Sequence, residues 1–342
     1  MKIALVADCW IPVPPTLYGG IERIIDMIAT EFSSAGHDVV LVAHPDSVSS
    51  GRLIPYRGAK PDHLPDTLRN MLTVSGLRSW KPDIIHSFGR LAYLSLLYRS
   101  SIPKIMSYQR EPTLKMIKMA MYLSKKDSLF FTGCSNYISG QIKPFGPAAT
   151  VYNGIEVSKY TFVREVPDDA PVAFLGRIEP VKGPMNAIKA AKAAGRKLIL
   201  AGNVPEEHSE YFETIIKPEI DGKEILYIGP VNDQQKNEFL GQCAAFLMPI
   251  DWNEPFGIVM AEAMACGTPV IGYPRGAVPE VVENGITGFT CQDTVSMATA
   301  INSVGQISRQ KVRTAAETRF SSQVIAGQYL DLYGKIVARK KI

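Results

Sequence analysis

Two glutamates, Glu254 and Glu262, stand eight positions apart in a stretch that also contains Gly257. The sequence pattern places Glu254 in a loop and starts a helix near Gly257, so Glu262 lies about two turns along that helix. A glycine at this position lets a ligand approach the backbone, and the first-turn amides, including that of Ile258, favour an anion. A carboxylate can accept two hydroxyl hydrogen bonds at once. The spacing therefore suits an elongated ligand with an anionic centre and hydroxyl groups at both ends.

Two cations, Arg177 and Lys182, follow the first apolar run of the second half of the chain. A Rossmann-like domain places its phosphate loop at this point. The guanidinium of Arg177 can chelate phosphate oxygens as a fork, and Lys182 adds a point charge. Two fixed cations beside a bound phosphate group would stabilise negative charge that develops on it, and we expect neither a metal ion nor a cofactor.

The first half of the chain holds further candidates. Gly19 and Gly20 precede a helical pattern, where paired glycines offer free amides to an anion. His86 ends an apolar run, and we expect it to face a ligand there. Arg110 and Asn153 are two further polar candidates for a cleft.

Short apolar runs must position these residues. Runs such as that in Lys197–Asn203 are continuously apolar, as strands buried on both faces of a parallel sheet require. Helical patterns between them imply an α/β fold with right-handed crossovers. The predicted strands are Lys2–Asp8, Asp38–His44, Asp83–Phe88, Lys104–Gln109, Leu129–Ser135, Ala149–Ile155, Pro171–Arg177, Lys197–Asn203, Glu224–Pro230, Ala244–Ile250, Pro269–Tyr273 and Thr287–Cys291. The predicted helices include Ile21–Ser34, Asn186–Ala194, Ile258–Cys266 and Gln323–Ile342.

The alternation of strands and helices restarts after the polar stretch 164–171. We therefore predict two Rossmann-like domains, 1–163 and 164–325, followed by a C-terminal helix, 326–342, that could pack back on the first domain. In open parallel sheets, ligands bind at the carboxyl ends of the strands, at the point where the strand order reverses. The expected site is a cleft between two facing sheets.

Composition narrows the class of protein. The chain has 342 residues, 46% hydrophobic and 20% charged, with a mean hydropathy of +0.02, which excludes wholesale disorder. A net charge of +4 is too weak to indicate nucleic-acid binding. The five cysteines form no CxxC pair, and no apolar run reaches the ~18 residues of a bilayer span. We expect a cytoplasmic location.

The stretch from Glu254 to Gly272, with the later Gly276-x-x-x-Glu280, closely resembles the retaining glycosyltransferases of family 4. The other features of that family follow in order, so the resemblance covers nearly the whole chain. It implies the GT-B fold, an α/β architecture of two facing Rossmann-like domains with an interdomain cleft. It also implies that Glu254 contacts the donor sugar and that Glu262 holds the ribose of the nucleotide.

The same resemblance assigns roles to the other candidates. Arg177 and Lys182 form the donor-pyrophosphate clamp, with Gly257 and Ile258 also at the diphosphate. Gly19 and Gly20 would close on the β-phosphate. His86 would contact the donor sugar, although Phe88 replaces the second histidine that the family often has. Phe256 and Gly257 are expected beside the sugar. The residues expected around the base are Gly202, Gly229 and Pro230, and those expected near an acceptor are Arg110 and Asn153.

The sequence thus predicts a retaining, metal-independent glycosyltransferase. A UDP-sugar is the expected donor, with GDP- and ADP-sugars left open, and the acceptor is a small molecule, a saccharide or a lipid-linked group. The alternatives are a non-catalytic nucleotide-sugar-binding or scaffold protein on the same fold and a nucleotide-sugar epimerase. A dehydrogenase is disfavoured because GxGxxG is missing.

The segment Leu114–Lys126 combines methionines with lysines. A basic amphipathic helix can lie on an anionic membrane, which would suit a lipid-linked acceptor and a peripheral position at the inner membrane face. A helix that turns its apolar side to the core and its lysines to solvent is the alternative, and we favour it.

Overall fold

A computed structural model describes residues 1–16, 19–60 and 62–339. The chain divides into two compact units. Unit 1 contains Met1–Gly154 together with Ser322–Ile342, and unit 2 contains Ile155–Ser321. These boundaries differ from the predicted domains because residues 155–163 are hydrogen-bonded within unit 2. The Ile155 N–H donates to the Phe320 carbonyl (2.8 Å) and the Val163 N–H to the Cys266 carbonyl (3.1 Å).

The elements alternate along both units. The strands are β1 Lys2–Val6, β2 Asp38–Ala43, β3 Arg52–Pro55, β4 Ile84–Ser87, β5 Lys104–Tyr108, β6 Leu129–Gly133, β7 Ala148–Thr150, β8 Val172–Leu175, β9 Leu198–Ala201, β10 Ile225–Tyr227, β11 Ala245–Met248, β12 Val270–Gly272 and β13 Gly288–Thr290. The helices are α1 Gly20–Ser34, α2 Leu64–Ser75, α3 Leu114–Leu123, α4 Asn136–Ile142, α5 Pro184–Ala194, α6 Ser209–Tyr211, α7 Asp233–Gln242, α8 Ile258–Ala265, α9 Val278–Val281, α10 Thr294–Ser303, α11 Arg309–Phe320 and α12 Ser322–Arg339.

Unit 1 is built on a seven-stranded parallel sheet in the order β3-β2-β1-β4-β5-β6-β7. Leu5 on β1 lies opposite Leu41 on one side and His86 on the other. The strand order reverses between β1 and β4. α12 packs on α1, and its Tyr329 and Tyr333 are buried, so this last helix completes the core of unit 1.

Unit 2 is built on a six-stranded parallel sheet in the order β10-β9-β8-β11-β12-β13. Its core contains Val172, Leu200 and Leu247 from the central strands, packed with Ile188 from α5 and Ile301 from α10. The strand order reverses between β8 and β11, which pair at Phe246 and Ala173. In such sheets this is where ligands bind, at the carboxyl ends of the strands.

The α/β prediction is confirmed, and each of the twelve predicted runs contains or overlaps a strand. The structure adds β3, which the sequence analysis missed, because all four of its residues are at least partly exposed and it lacks the fully apolar run of a central strand. The expectation for α3 holds only in part, since Ile117 and Ala120 are buried whereas Met116 and Met119 are exposed. Among the described residues, no helix is long and apolar enough to cross a bilayer.

Candidate functional site

The carboxyl edge of the unit 2 sheet gathers most of the predicted site. Arg177 follows β8, and Glu254 lies in the loop after β11, the strand that pairs directly with β8. These two strands flank the reversal of strand order. The topology therefore brings the predicted cations and the first glutamate to the same edge of the sheet.

The two loops are joined through their backbones. The Asp251 N–H donates to the carbonyl oxygen of Val181, with N and O 2.8 Å apart. Gly183 has φ +73°, and a Cβ built there would collide with the carbonyl oxygen of Pro249. Only glycine meets both demands at low cost, since this left-handed conformation disfavours other residues. The Gly183 contact therefore fixes Lys182 beside the loop that carries Glu254.

Lys182 and Glu254 are in direct contact. The Lys182 Nζ donates to Glu254 Oε2 over 2.8 Å, and the Trp252 indole N–H donates to the same oxygen over 3.0 Å. The ammonium group also lies 4.5 Å from the centre of the Trp252 ring, within cation–π range. Both side chains of the ion pair are largely buried, with 19% and 12% of their surfaces exposed. The cation expected at the diphosphate and the carboxylate expected at the sugar thus form one paired cluster.

The start of α8 supplies a second feature for an anion. Gly257 is its N-cap residue with φ +77°, and a Cβ there would lie 2.8 Å from Met248 Cε and 3.2 Å from Glu254 Cγ. In this first turn the Met260 N–H donates to the Gly257 carbonyl over 2.9 Å. The amides ahead of it, beginning at Ile258, have no preceding turn to pair with and carry the positive end of the helix dipole. Phe256, expected beside the sugar, is instead buried with its ring 5.6 Å from that of Phe320.

Glu262 lies on α8, about 7.5 Å along the helix axis from Gly257 at 1.5 Å per residue. It is 8% exposed, and its Oε1 accepts hydrogen bonds from the Tyr160 hydroxyl (2.7 Å) and from Lys236 Nζ (2.6 Å). Burial disfavours the charged form of Lys236, but Glu262 and Asp233 outweigh it and raise the pKa of the ammonium group. Because both donors converge on Oε1, Oε2 can still accept from a ligand hydroxyl.

Arg177 is paired with Glu179, whose side chain is only 5% exposed, at 2.9 Å between Nη2 and Oε1. The other carboxylate oxygen of Glu179 lies 3.6 Å from His208 Nε2. The Arg177 side chain is 43% exposed and so remains accessible to an anion. Glu179 therefore places a buried carboxylate beside the guanidinium that follows β8.

The residues expected around a base are also brought together. The Gly202 N–H donates to the Gly229 carbonyl over 2.8 Å, and the Tyr227 hydroxyl donates to the Gly202 carbonyl over 2.7 Å. Pro230 follows directly in the chain. The ends of β9 and β10 thus form a connected backbone surface beside β8.

The glycine pair of unit 1 lies at the start of α1, with Gly19 as the N-cap residue. A Cβ on Gly19 would lie 2.9 Å from Glu22 Oε2 and 2.7 Å from Pro15 Cβ. Glu22 is 7% exposed, and burial raises the pKa of its carboxyl group. A phosphate at Gly19 and Gly20 would therefore meet the Glu22 carboxyl group, which the sequence analysis did not anticipate.

The expected contact of His86 with a donor sugar is not supported. His86 is 0% exposed, and its Nε2 is bonded to Ser107 Oγ over 2.6 Å. Its Nδ1 is bonded to the Tyr333 hydroxyl of α12. Burial lowers the pKa of His86 to about 3, so the imidazole is neutral near pH 7. With both nitrogens engaged, His86 joins β4 to α12 within unit 1.

The two residues expected near an acceptor differ in environment. Arg110 is exposed, and its charge acts on Glu22. Asn153 is 4% exposed, and its Oδ1 has no hydrogen-bond partner among the described residues.

Two family models cover most of the chain. The model of the group 1 glycosyl transferases matches residues 160–319, and that of glycosyltransferase family 4 matches residues 18–159. The chain belongs to the group 1 glycosyltransferases. It is therefore a glycosyltransferase that uses a nucleotide-sugar donor. The matched ranges contain every unit 2 residue of the site described above.

This group 1 glycosyltransferase is 24% identical to the glycogen synthase of Mycobacterium tuberculosis over 94% of this chain and 91% of that protein. It superposes on the sucrose-phosphate synthase of Thermosynechococcus elongatus with a TM-score of 0.81 at 17% identity, covering 99% and 100% of the chains. The Anabaena protein HepE, solved with UDP, gives a TM-score of 0.76 at 18% identity, covering 98% and 100%. These likenesses support the predicted GT-B fold.

Several residues of the glycosyltransferase site were missed by the sequence analysis. Glu179 lies between Arg177 and Lys182, and Trp252 lies two residues before Glu254, so proximity in sequence was an available signal for both. Tyr160 and Lys236 reach Glu262 from 102 and 26 residues away and gave no such signal.

Proposed function

We propose that this glycosyltransferase retains the configuration of the transferred sugar, acts without a metal ion and takes a UDP-sugar as its donor. The observation that carries the proposal is the Lys182–Glu254 pair, held at the strand-order reversal of unit 2. A donor places a diphosphate and a sugar next to each other, and this pair presents a cation and a carboxylate in direct contact. Glu262, further along α8, is suited to the ribose.

Binding of the donor separates the Lys182–Glu254 ion pair and gives each side chain a new partner. Lys182 leaves Glu254 for the diphosphate, and Glu254 then accepts hydrogen bonds from sugar hydroxyls. Arg177 and the first turn of α8 add positive charge around the same phosphates. Because these groups are already in place, little reorganisation is needed as negative charge develops on the leaving group.

In the transfer step the bond from the anomeric carbon to the β-phosphate oxygen breaks, and a bond to the acceptor oxygen forms on the same face. The proton of the acceptor hydroxyl passes to an oxygen of the departing diphosphate. The sugar carries oxocarbenium-like positive charge in between. Glu254 orients the sugar through its hydroxyls and forms no covalent bond, unlike the nucleophilic carboxylate of retaining hydrolases.

The choice of UDP rests on a likeness in fold. HepE is described in complex with UDP and with UDP-glucose. The base would lie at the connected ends of β9 and β10, at Gly202 and Gly229. The carbonyl oxygens there keep a second lone pair and can accept a hydrogen bond from the N–H of uracil.

The test is a binding and turnover screen. Isothermal titration with UDP-, GDP- and ADP-glucose should give the tightest binding for the uridine nucleotide. Release of the nucleoside diphosphate with a mixture of lipid, saccharide and small-molecule acceptors should persist in EDTA, and NMR of the product should show the donor's anomeric configuration. Binding without release would indicate a scaffold protein, and an inverted product or loss of activity in EDTA would contradict the mechanism.

We also propose a cytoplasmic location. All five cysteines are free and buried, which is typical of a reducing compartment. Fractionation of cells that express the full chain should recover the protein with cytoplasmic markers, and recovery with extracellular or periplasmic markers would contradict the proposal.

A further inference from the structure

One side of unit 1 carries a layer formed by α2, the short helical segment Leu91–Leu97 and α3. The crossovers from β3 to β4, β4 to β5 and β5 to β6 all move in the same direction across the sheet. Right-handed connections therefore place these three segments on the same face of the sheet. Leu91–Leu97 contacts both α2 and α3, so the layer is continuous.

The outer side of α2 is apolar. Leu64, Leu68 and Leu72 recur every four residues and are 70%, 49% and 64% exposed. The opposite side of the helix is buried, with Asn70 and Val74 both 0% exposed. Four-residue spacing puts the three leucines in one stripe that points away from the sheet.

The outer side of α3 continues this surface. Met116, Met119 and Tyr122 are 38%, 47% and 88% exposed, whereas Ile117 and Ala120 face inward. Leu96, between the two helices, is 41% exposed. We call these seven side chains the α2–α3 face: Leu64, Leu68, Leu72, Leu96, Met116, Met119 and Tyr122. They are half of the fourteen large apolar side chains exposed among the described residues.

The charge around the α2–α3 face is positive. Residues 62–146 contain twelve lysines and arginines against five aspartates and glutamates, whereas the whole chain carries only +4. The exposed cations in and beside the layer include Arg69, Arg78, Arg99, Lys115, Lys118, Lys125 and Lys126. Of the acidic residues there, Asp66 is paired with Arg69, and the Glu111 carboxylate accepts from Tyr137.

We infer that the α2–α3 face docks this glycosyltransferase onto the surface of an anionic lipid bilayer. Leucine, methionine and tyrosine side chains can insert among headgroups while flanking lysines attract anionic lipid. A second copy of the chain fits less well, because pairing this face with itself would bring like charges together. A membrane position would also present a lipid-linked acceptor to unit 1.

The first experiment is sedimentation of the full chain with lipid vesicles. The protein should bind vesicles of phosphatidylcholine with about one-third phosphatidylglycerol, and should bind pure phosphatidylcholine far more weakly. Binding should fall as salt rises, since the attraction is partly electrostatic. Equal binding to both vesicles, or no binding to the anionic ones, would overturn the inference.

Variants test the face itself. Lys115→Glu with Lys118→Glu should lower partition onto anionic vesicles about 30-fold or more, because each lysine near the surface contributes to the attraction. Met116→Ser, Met119→Ser and Tyr122→Ser together should lower it about 10-fold or more. The matched controls lie in unit 2 and should bind as the unaltered protein does: Val295→Ser for exposed apolar area, and Lys223→Glu with Lys311→Glu for charge.

Two further measurements distinguish a loss of membrane docking from misfolding and from self-association. Nucleotide-induced thermal stabilisation should be unchanged in the variants, which shows that they fold and separates this inference from the proposed function. Light scattering without lipid should give one mass for the unaltered and variant proteins. A mass that falls to that of a single chain only in the α3 variants would assign the face to self-association and overturn membrane docking.

Discussion

At the scale of single residues, Lys182 carries the largest expected effect on catalysis. Lys182→Ala removes a cation that the proposed mechanism places on the leaving diphosphate, so kcat should fall by ~100-fold. Steady-state release of nucleoside diphosphate measures it, with the exposed Lys189→Ala of α5 as a matched control. Turnover close to that of the unaltered enzyme would remove Lys182 from the mechanism.

Lys236 is expected to act through Glu262. Lys236→Met leaves the Glu262 carboxylate with Tyr160 as a donor but without its cation, so the carboxylate should lose its fixed orientation. We expect donor KM to rise about tenfold with little change in kcat, the scale of one hydrogen bond to a charged group. The preference for UDP over 2′-deoxy-UDP should shrink, and Lys236→Arg should restore part of it. An unchanged preference would show that Lys236 does not position Glu262.

The sequence predicted the residues that belong to motifs and missed those that meet only in three dimensions. Glu254, Lys182 and Glu262 stand in recognisable patterns. The partners of Glu262 are Tyr160, from a connecting segment, and Lys236, from α7. No local spacing links either residue to Glu262. The sugar contact predicted for His86 is not supported, for the opposite reason. The sequence placed His86 correctly near a strand end, but its burial depends on Tyr333, which lies 247 residues away on another helix.

At the scale of elements, the bond between His86 and α12 makes unit 1 sensitive to acid. The folded state holds His86 with a pKa of about 3, below the ordinary 6.5, so it resists a proton that the unfolded chain accepts. The stability due to the neutral imidazole is complete above pH 6.5 and is lost as pH falls toward 3, at up to ~1.4 kcal/mol per pH unit.

Urea unfolding tests this dependence. From about pH 7 to pH 5 the free energy of unfolding should drop by about 2 kcal/mol through His86 alone. His86→Gln should be less stable at pH 7 yet lose correspondingly less on acidification. Parallel pH profiles for the two proteins would show that His86 is not the responsible group.

Arg309 has a comparable role in unit 2. Its guanidinium donates to the carbonyl oxygens of Val163, Gly241 and Cys243 at 2.7 to 2.9 Å, and burial lowers its pKa to about 10. Arg309→Met would leave buried carbonyls unpaired and should cost about 3 kcal/mol of unfolding free energy. Thermal and urea unfolding measure it. Lys311→Met, exposed on the same helix, should cost less than about 0.5 kcal/mol, and similar losses in both variants would refute the role.

The central strands could be predicted because burial on both faces leaves a continuous apolar run, as in β9 and β11. The edge strand β3 could not be predicted in this way. Among the described strands it pairs with β2 alone, and its residues stay partly exposed. The rotation of α3 about its axis could not be predicted either. Its methionines fit either a core or an exposed face by spacing, and only the packing of Ile117 and Ala120 fixed its rotation.

At the scale of the whole molecule, a nucleotide should stabilise unit 2 in particular. A ligand at about 1,000 times its Kd adds ~4 kcal/mol to the unit that binds it. Hydrogen exchange with mass spectrometry should therefore show stronger added protection in β8 and β11 than in β1 and β4. The Lys182→Ala variant serves as a binding-impaired control. Equal added protection in both units would contradict a donor site confined to unit 2.

The division into two α/β units followed from the restart of the strand pattern, but its boundaries did not. The polar stretch 164–171 looks like a linker, yet residues 155–163 already bond to α8 and α11. Those bonds join positions more than a hundred residues apart, which a local reading of composition does not detect.

The placement of α12 also affects how a growing polypeptide can fold. Unit 2 lies between the two segments of unit 1, so a ribosome finishes the whole of unit 2 before it releases the helix that fills the space beside Phe32 and His86. During synthesis the sheet of unit 1 therefore lacks α12, and the apolar groove that α12 fills stays uncovered until unit 2 has been made. Nascent chains should recruit holding chaperones to that groove, and the interval lasts while residues 155–321 are translated.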